Sequence, residues 1–177
     1  MSALIKRLLI VSVLIFPAST QVNAMGIGFK VCLASESSGV VTDNGVPVQG
    51  ATVTRKVVWE NKEYVDEAVT GESGGFAFSS LYERTLLKHA PITPVMGQEV
   101  SISYKGEAHL AWRLVKKNWD DLGEVNTGKN IKNNNVKPFA MKCELSNESL
   151  SRQVPGTGRG ITGRCLLDWE DAPKRKN

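Results

Sequence analysis

An all-β antiparallel sandwich is the fold that the sequence predicts, and three observations carry that expectation. Short apolar alternation broken by Gly, Asn and Pro runs from Met25 to Trp169, the period-two pattern of half-buried strands rather than of helices. The composition, with 41% hydrophobic, 23% charged and three Cys in 177 residues, excludes a large multidomain enzyme and a collagenous or disordered chain. A single domain of this size buries roughly 68–70% of the surface its unfolded chain exposes, enough for a core without a metal.

Residues 1–24 are expected to lie outside that domain. Lys6 and Arg7 precede an apolar run from Leu8 to Phe16, and Val22-Asn23-Ala24 presents small residues where a signal peptidase reads. Cleavage after Ala24 leaves 153 of the 177 residues and removes two cations, so 20 basic residues face 18 acidic ones. A net charge of +2 gives little reason to expect nucleic-acid binding. No second stretch approaches the roughly 18 apolar residues that span a bilayer. Cys32 follows Phe29-Lys30-Val31 rather than the apolar run, so no lipid anchor is expected. The expectation is a soluble periplasmic domain over 25–170, followed by a basic tail over 171–177.

The strands are justified in chain order. Phe29, Val31 and Leu33 alternate in the first, and Gly39 to Thr42 form a second. Ala51 to Trp59 form a third, to which Tyr64 to Thr70 return across the polar turn Glu60-Asn61-Lys62-Glu63. Phe76 and Phe78 alternate next, then Val100, Ile102 and Tyr104, then Leu110, Trp112 and Leu114, then Phe139, Met141, Cys143 and Leu145. A last strand runs from about Gly163 to Trp169. Two connections exceed the roughly 12 to 15 residues of an ordinary loop. In Ser79 to Gly97, Ser80-Leu81-Tyr82-Glu83 reads as a capping box, which predicts a short helix through about Lys88 before Pro91 and Pro94. Asn118 to Pro138, rich in Asn, Asp, Gly and Lys, reads as one long polar surface loop.

The segment Gly39-Val40-Val41-Thr42-Asp43-Asn44-Gly45-Val46-Pro47-Val48-Gln49-Gly50-Ala51-Thr52-Val53 resembles the carboxypeptidase regulatory-like, or transthyretin-like, family of β-sandwich domains. Thr70-Gly71-Glu72-Ser73-Gly74-Gly75-Phe76 is similar to that family's later T-D-x-x-G-x-F turn, with Gly71 where Asp is usual. The resemblance implies an immunoglobulin-like or transthyretin-like sandwich that is noncatalytic and supports an enzyme, binds proteins or glycans, or joins an envelope assembly. The residues agree on physical grounds. Asn44-Gly45 supplies positive φ cheaply, Pro47 fixes φ and removes a donor, and Gly74-Gly75 permits a tight hairpin.

Motifs that invite other chemistry are answered by bland readings. Gly71-Glu72-Ser73-Gly74-Gly75 matches a nucleophile elbow, but only His89 and His109 are available as a base and the context is a hairpin. A Gly-rich turn is expected, and a serine hydrolase using Ser73 is the least favoured function. Gly123 to Asn130 departs from a phosphate-binding loop at its last position, and Gly156 to Gly160 reads as a connection into the last strand. The two His lack metal-pair spacing, and Asp120-Asp121 with Glu124 lacks the spacing of a calcium loop. No cofactor or metal is expected.

Secretion makes a disulfide expected, and three Cys allow three single pairings. Cys143 with Cys165 is favoured, closing 22 residues of C-terminal chain, with Cys32 a buried free thiol; Cys32 joined to Cys143 or Cys165 is the alternative. Trp112 reads as core. Trp119, at the start of the long polar loop, reads as an interface or glycan-stacking aromatic, or as partly buried without a ligand. The candidate partner-binding residues are Trp119, Asp120 and Asp121 on the second loop and Tyr82 and Arg84 on the first. The functional expectation is a noncatalytic periplasmic protein that binds another protein, in one version as an immunity-type antagonist of an envelope-targeting toxin. A cell-envelope structural or glycan-binding module is the alternative.

Overall fold

A computed structural model describes residues 27–119, 139–154 and 159–167. Its strands are β1 (Phe29–Ala34), β2 (Ser37–Asp43), β3 (Val46–Pro47), β4 (Thr52–Trp59), β5 (Lys62–Val69), β6 (Gly75–Phe78) and β7 (Leu81–Thr85). A single 3₁₀ turn over Leu87–His89 precedes β8 (Met96–Tyr104) and β9 (Glu107–Lys116). The chain then gives β10 (Phe139–Glu144), β11 (Leu150–Val154), β12 (Arg159–Gly163) and β13 (Cys165–Leu167). The expected signal segment, the basic tail and most of the long polar loop lie outside the described residues.

The fold is an all-β sandwich. One sheet runs β11-β12-β9-β8-β4-β5, the other β13-β10-β2-β3 with β6 also on β2, and β1 and β7 form a two-stranded ribbon. Neighbours are antiparallel except β2 and β10, which run parallel from Ser37 opposite Phe139 to Thr42 opposite Glu144. That pair is the one parallel ladder among the described residues of a sandwich that is otherwise antiparallel, as expected. Alternation specifies which face a residue buries and says nothing of the direction of the strand beside it. The main core lies between the sheets and includes Val41, Val53, Phe76, Val100, Ile102, Trp112 and Met141. A second cluster of Val31, Leu33, Val57, Trp59 and Met96 lies beneath the ribbon.

A correction concerns Ser80 to Lys88, which is strand and then 3₁₀ turn rather than helix. Both groups of the supposed capping box are used across the fold. The Ser80 hydroxyl accepts the Glu36 N–H at 2.9 Å, and the Glu83 carboxylate accepts the Tyr64 hydroxyl at 2.7 Å. β7 instead satisfies its backbone on β1, from Phe29 opposite Thr85 to Ala34 opposite Leu81.

The ladder of β2 with β6 passes into that of β1 with β7 across a shared bend in strand order, where neither Ser35-Glu36 nor Ser79-Ser80 is strand. A bend interrupts the ladder and leaves carbonyls to be satisfied by other means. Arg55, 3% exposed on β4, fills it: Nη1 donates to Ser35 O at 3.3 Å and Nη2 to Ser79 O at 2.8 Å. Its Nε and Nη2 also reach the Asp66 carboxylate, and the guanidinium lies 4.8 Å from the Phe78 ring centre.

At the other end the chain changes sheets. β12 belongs to the six-stranded sheet and β13 to the other, with the crossing at Gly163-Arg164. Cys165 lies opposite Cys143 on β10, and the two form a disulfide. Cys32 is buried and stands outside this bridge, as the favoured pairing requires. Opening the bridge by Cys143→Ser with Cys165→Ser is expected to cost about 3 kcal/mol in the chain-entropy treatment of a loop of this length. Urea unfolding of the two proteins side by side measures that loss.

The Asn44-Gly45 turn between β2 and β3 has φ of 50° and 77° and is clamped from β10. Glu144 accepts the N–H groups of Asn44 at 2.8 Å, Gly45 at 2.9 Å and Ser146 at 3.1 Å, with the hydroxyls of Ser146 at 2.7 Å and Thr42 at 2.9 Å. The Ser146 hydroxyl leads in holding this carboxyl down to about 2 from an ordinary 4.5, helped by the Gly45 and Ser146 N–H groups and opposed by burial. A folded-state value below the unfolded one stabilises the fold above pH 4.5, and that contribution is lost as pH falls toward 2. Glu144→Gln should therefore flatten the acid limb of a stability-versus-pH curve over that interval.

Candidate protein-binding surface

The ribbon of β1 and β7 brings together side chains from three places in the chain. Its inner face buries Val31 and Leu33 and turns Glu83 toward β5. Tyr64 donates its hydroxyl to that carboxylate, which holds Glu83 below its ordinary range. Burial first, and then Glu83, push Tyr64 up to about 12. The one carboxylate of β7 is thus committed inward, with Lys62 a further 4.0 Å contact.

The opposite face presents Lys30 beside Arg84, and Tyr82 beside the buried Cys32. Lys30 Nζ stands 3.6 Å from the centre of the Tyr82 ring, a cation–π contact at a tyrosine 40% exposed. Arg84 Nη1 donates to Gly28 O at 3.0 Å, and Lys88 Nζ donates to Lys30 O at 3.3 Å. These backbone contacts aim three cations at one surface without neutralising any of them. Among the described residues, Lys30, Arg84 and Lys88 take part in no ion pair. At the end of the ribbon Phe29, on the Val31 side, meets the His89 ring edge to face at 4.4 Å, and Ile27 and Leu86 are exposed at 87% and 67%. Cationic groups around aromatic and aliphatic side chains can engage an acidic partner surface and bury apolar area in the same contact.

Of the residues that the sequence nominates, Tyr82 and Arg84 lie on this surface. Trp119 does not project from a loop. It is half-buried, its ring edge-on to Trp59 at 5.9 Å, and its carbonyl accepts the Cys32 N–H at 3.0 Å. It closes the open side of β1 together with Lys116 Nζ on Cys32 O and Gln98 Nε2 on Leu33 O, each at 2.8 Å. Asp120 and Asp121 lie outside the described residues. Lys30 and Lys88 were missed because no local signal pairs β1 with β7; alternation in each segment was the only trace of the ribbon.

The other motifs settle into the scaffold. Ser73 is exposed in the turn between β5 and β6, closed by Gly74 N–H to Gly71 O at 2.9 Å and Gly71 N–H to Gly75 O at 3.0 Å. A strand-to-strand turn differs from the strand-to-helix geometry of a nucleophile elbow. His109 lies 3.8 Å from Glu107. On the outer face of the large sheet, the missing side chain of Gly97 between Val58 and Val115 leaves a depression of about 190 Å³, rimmed by Lys56, Glu99 and Arg113.

The model of a domain family of unknown function, DUF6795, matches residues 37–148. That span is more than half of the chain, which therefore belongs to this family; it runs from β2 through β10 and includes Tyr82, Arg84 and Lys88. No curated protein and no solved structure matches the chain.

Proposed function

We propose that this member of the DUF6795 family is a noncatalytic protein of the bacterial periplasm that binds another protein through the outer face of the β1-β7 ribbon. The observation that carries the reading is the cluster of Lys30, Arg84 and Lys88, free of ion pairs among the described residues, around Tyr82. The partner it suits has an acidic face with an apolar element. An immunity-type antagonist of an envelope-targeting toxin is the specific form proposed, on the strength of the secretory signal expected at the N-terminus and the small size of the chain.

The resemblance to carboxypeptidase regulatory-like domains supports the same reading, because its two segments supply the β2-β3-β4 connection and the β5-β6 turn, both scaffold parts. A glycan-binding or structural role draws less support, since its leading aromatic, Trp119, packs against Trp59. The test is capture from periplasmic extract at physiological salt by tagged protein from residue 26 onward, beside the same protein carrying Lys30→Glu and Arg84→Glu. One stoichiometric protein held by the parent and lost by the variant is the expected result. Equal capture by both would overturn the ribbon assignment, and capture of no protein would favour the glycan or structural role.

A further inference from the structure

β5 ends the six-stranded sheet and, among the described residues, pairs with β4 alone. Their hairpin closes with Trp59 opposite Lys62 around Glu60 and Asn61, at φ of 47° and 62°. In a two-residue hairpin the closing pair exchanges hydrogen bonds, and along an antiparallel ladder such pairs alternate with non-bonded ones. Lys62, Tyr64, Asp66 and Ala68 therefore spend their N–H and C=O groups on β4. Glu63, Val65, Glu67 and Val69 point theirs away from the sheet, where no described strand meets them.

Edges of this kind are ordinarily shortened, bulged, interrupted by Pro or covered. The open side of β1 is covered in that way, by Trp119, Lys116 and Gln98. β5 has none of these: it runs eight residues without Pro, in unbroken register with β4, and is guarded only by charge, at Lys62, Glu63, Asp66 and Glu67. Its outward side chains alternate Glu63, Val65, Glu67, Val69, all exposed, with the valines at 53% and 66%. Glu63 shares a surface ion pair with Lys56 at 2.6 Å, and Glu67 has none among the described residues.

That pattern discriminates between occupants. Antiparallel pairing of two β5 strands centred on Val65 sets Glu63 of each copy against Glu67 of the other, and like charges directly opposite are destabilising; centring on Asp66, whose carboxylate is held by Arg55, leaves Glu67 opposite Val65 and neither glutamate opposite a cation. A strand whose outer side chains alternate apolar and basic meets valine with apolar groups and glutamate with cations instead.

We propose that β5 is a strand-addition site that accepts, antiparallel, an extended segment of a partner protein with apolar and basic residues alternating along its outer face. Backbone hydrogen bonds to Glu63, Val65, Glu67 and Val69 supply the affinity, and the two glutamates select against acidic strands and against a second copy. The site requires no contact with the β1-β7 ribbon and stands whether or not the ribbon binds.

The probe is the blocked peptide VTKTVTK, which in antiparallel register sets Val against Val69 and Val65 and Lys against Glu67 and Glu63. VTETVTE is the control. Isotope-labelled protein is titrated with each while amide exchange is followed by NMR. With VTKTVTK, the amides of Glu63, Val65, Glu67 and Val69 should slow by about tenfold, as newly bonded groups do, while those of Tyr64, Asp66 and Ala68, already bonded to β4, change little. Val65→Pro removes an outward N–H that the β4 ladder does not use, so the fold should persist and peptide affinity should fall by about tenfold. Glu63→Lys with Glu67→Lys keeps every backbone group and should reverse the preference toward VTETVTE, which decides the matter if the proline variant fails to fold. Lys30→Glu with Arg84→Glu should leave the titration unchanged. The proposal is overturned by equal binding of the two peptides to the parent, by binding without protection of the four amides, or by their protection in concentrated protein alone, which would mark a second copy on the edge.

Discussion

Gly163→Ala is expected to destabilise the domain by about 3 kcal/mol or more, at the upper end of what overpacking a dense core costs. A Cβ on Gly163 would stand 2.1 Å from Ala111 O and 2.5 Å from Trp112 Cα. Both are backbone atoms of a buried strand, so rotating a side chain cannot relieve the clash. The register of β8 and β9 shifts here, because Val100 faces Trp112 while Ser101 faces Leu110, leaving Ala111 unopposed. Gly163, at φ 156°, passes against that extra residue as the chain leaves one sheet for the other. Arg152 braces the corner, donating to Gly163 O at 3.2 Å and to Cys165 O at 2.7 Å. In a domain of this size such a loss lowers the melting temperature by about 6–12 °C. Calorimetry of the variant beside Gly160→Ala makes the comparison, because a Cβ at Gly160 meets nothing within 4 Å. Equal melting temperatures in the two variants would contradict the close approach at Gly163.

Arg55→Met should cost about 3 kcal/mol, near the lower end of what is lost when one member of a buried ion pair is removed. The lower end applies because Asp66 is 38% exposed and keeps part of its hydration once the arginine is gone. The larger share comes from Ser35 O and Ser79 O, which lose their donors at the bend. Arg55→Lys preserves the charge but cannot place three donor directions at once, so it should recover less than half of the loss. Denaturant unfolding of the parent and both variants measures the order, and a Met variant as stable as the parent would mean that the bend needs no donor.

The two effects show where local reasoning stops. Phe76, Phe78, Val100, Ile102, Trp112, Leu114, Met141 and Cys143 are all buried, as their period-two spacing requires. The turns stand where that spacing is interrupted, at Asn44-Gly45 by residues tolerant of positive φ and at Glu60-Asn61 by a polar run. Arg55 carries no local mark of its role in an alternating strand, and it is buried because it serves the carbonyls of Ser35 and Ser79 from two separate strand segments. Ser80 and Glu83 had the spacing of a helix start, yet each found a partner far away in sequence, Glu36 and Tyr64. Of the nominated contact residues, Tyr82 and Arg84 came to the surface with Lys30 and Lys88, whereas Trp119 turned inward.

By itself the sequence determined the class of fold, the faces of most strands and the tight turns, because alternation and backbone preference act over a few residues at a time. Tertiary structure alone decided that β2 and β10 run parallel, that β1 pairs with β7, that the last strand changes sheets at Gly163 and that β5 keeps an open edge. The physical reason is that a strand states which side it buries but not which strand will satisfy its backbone. That choice is made by the whole sandwich as its hydrogen bonds and core are completed together.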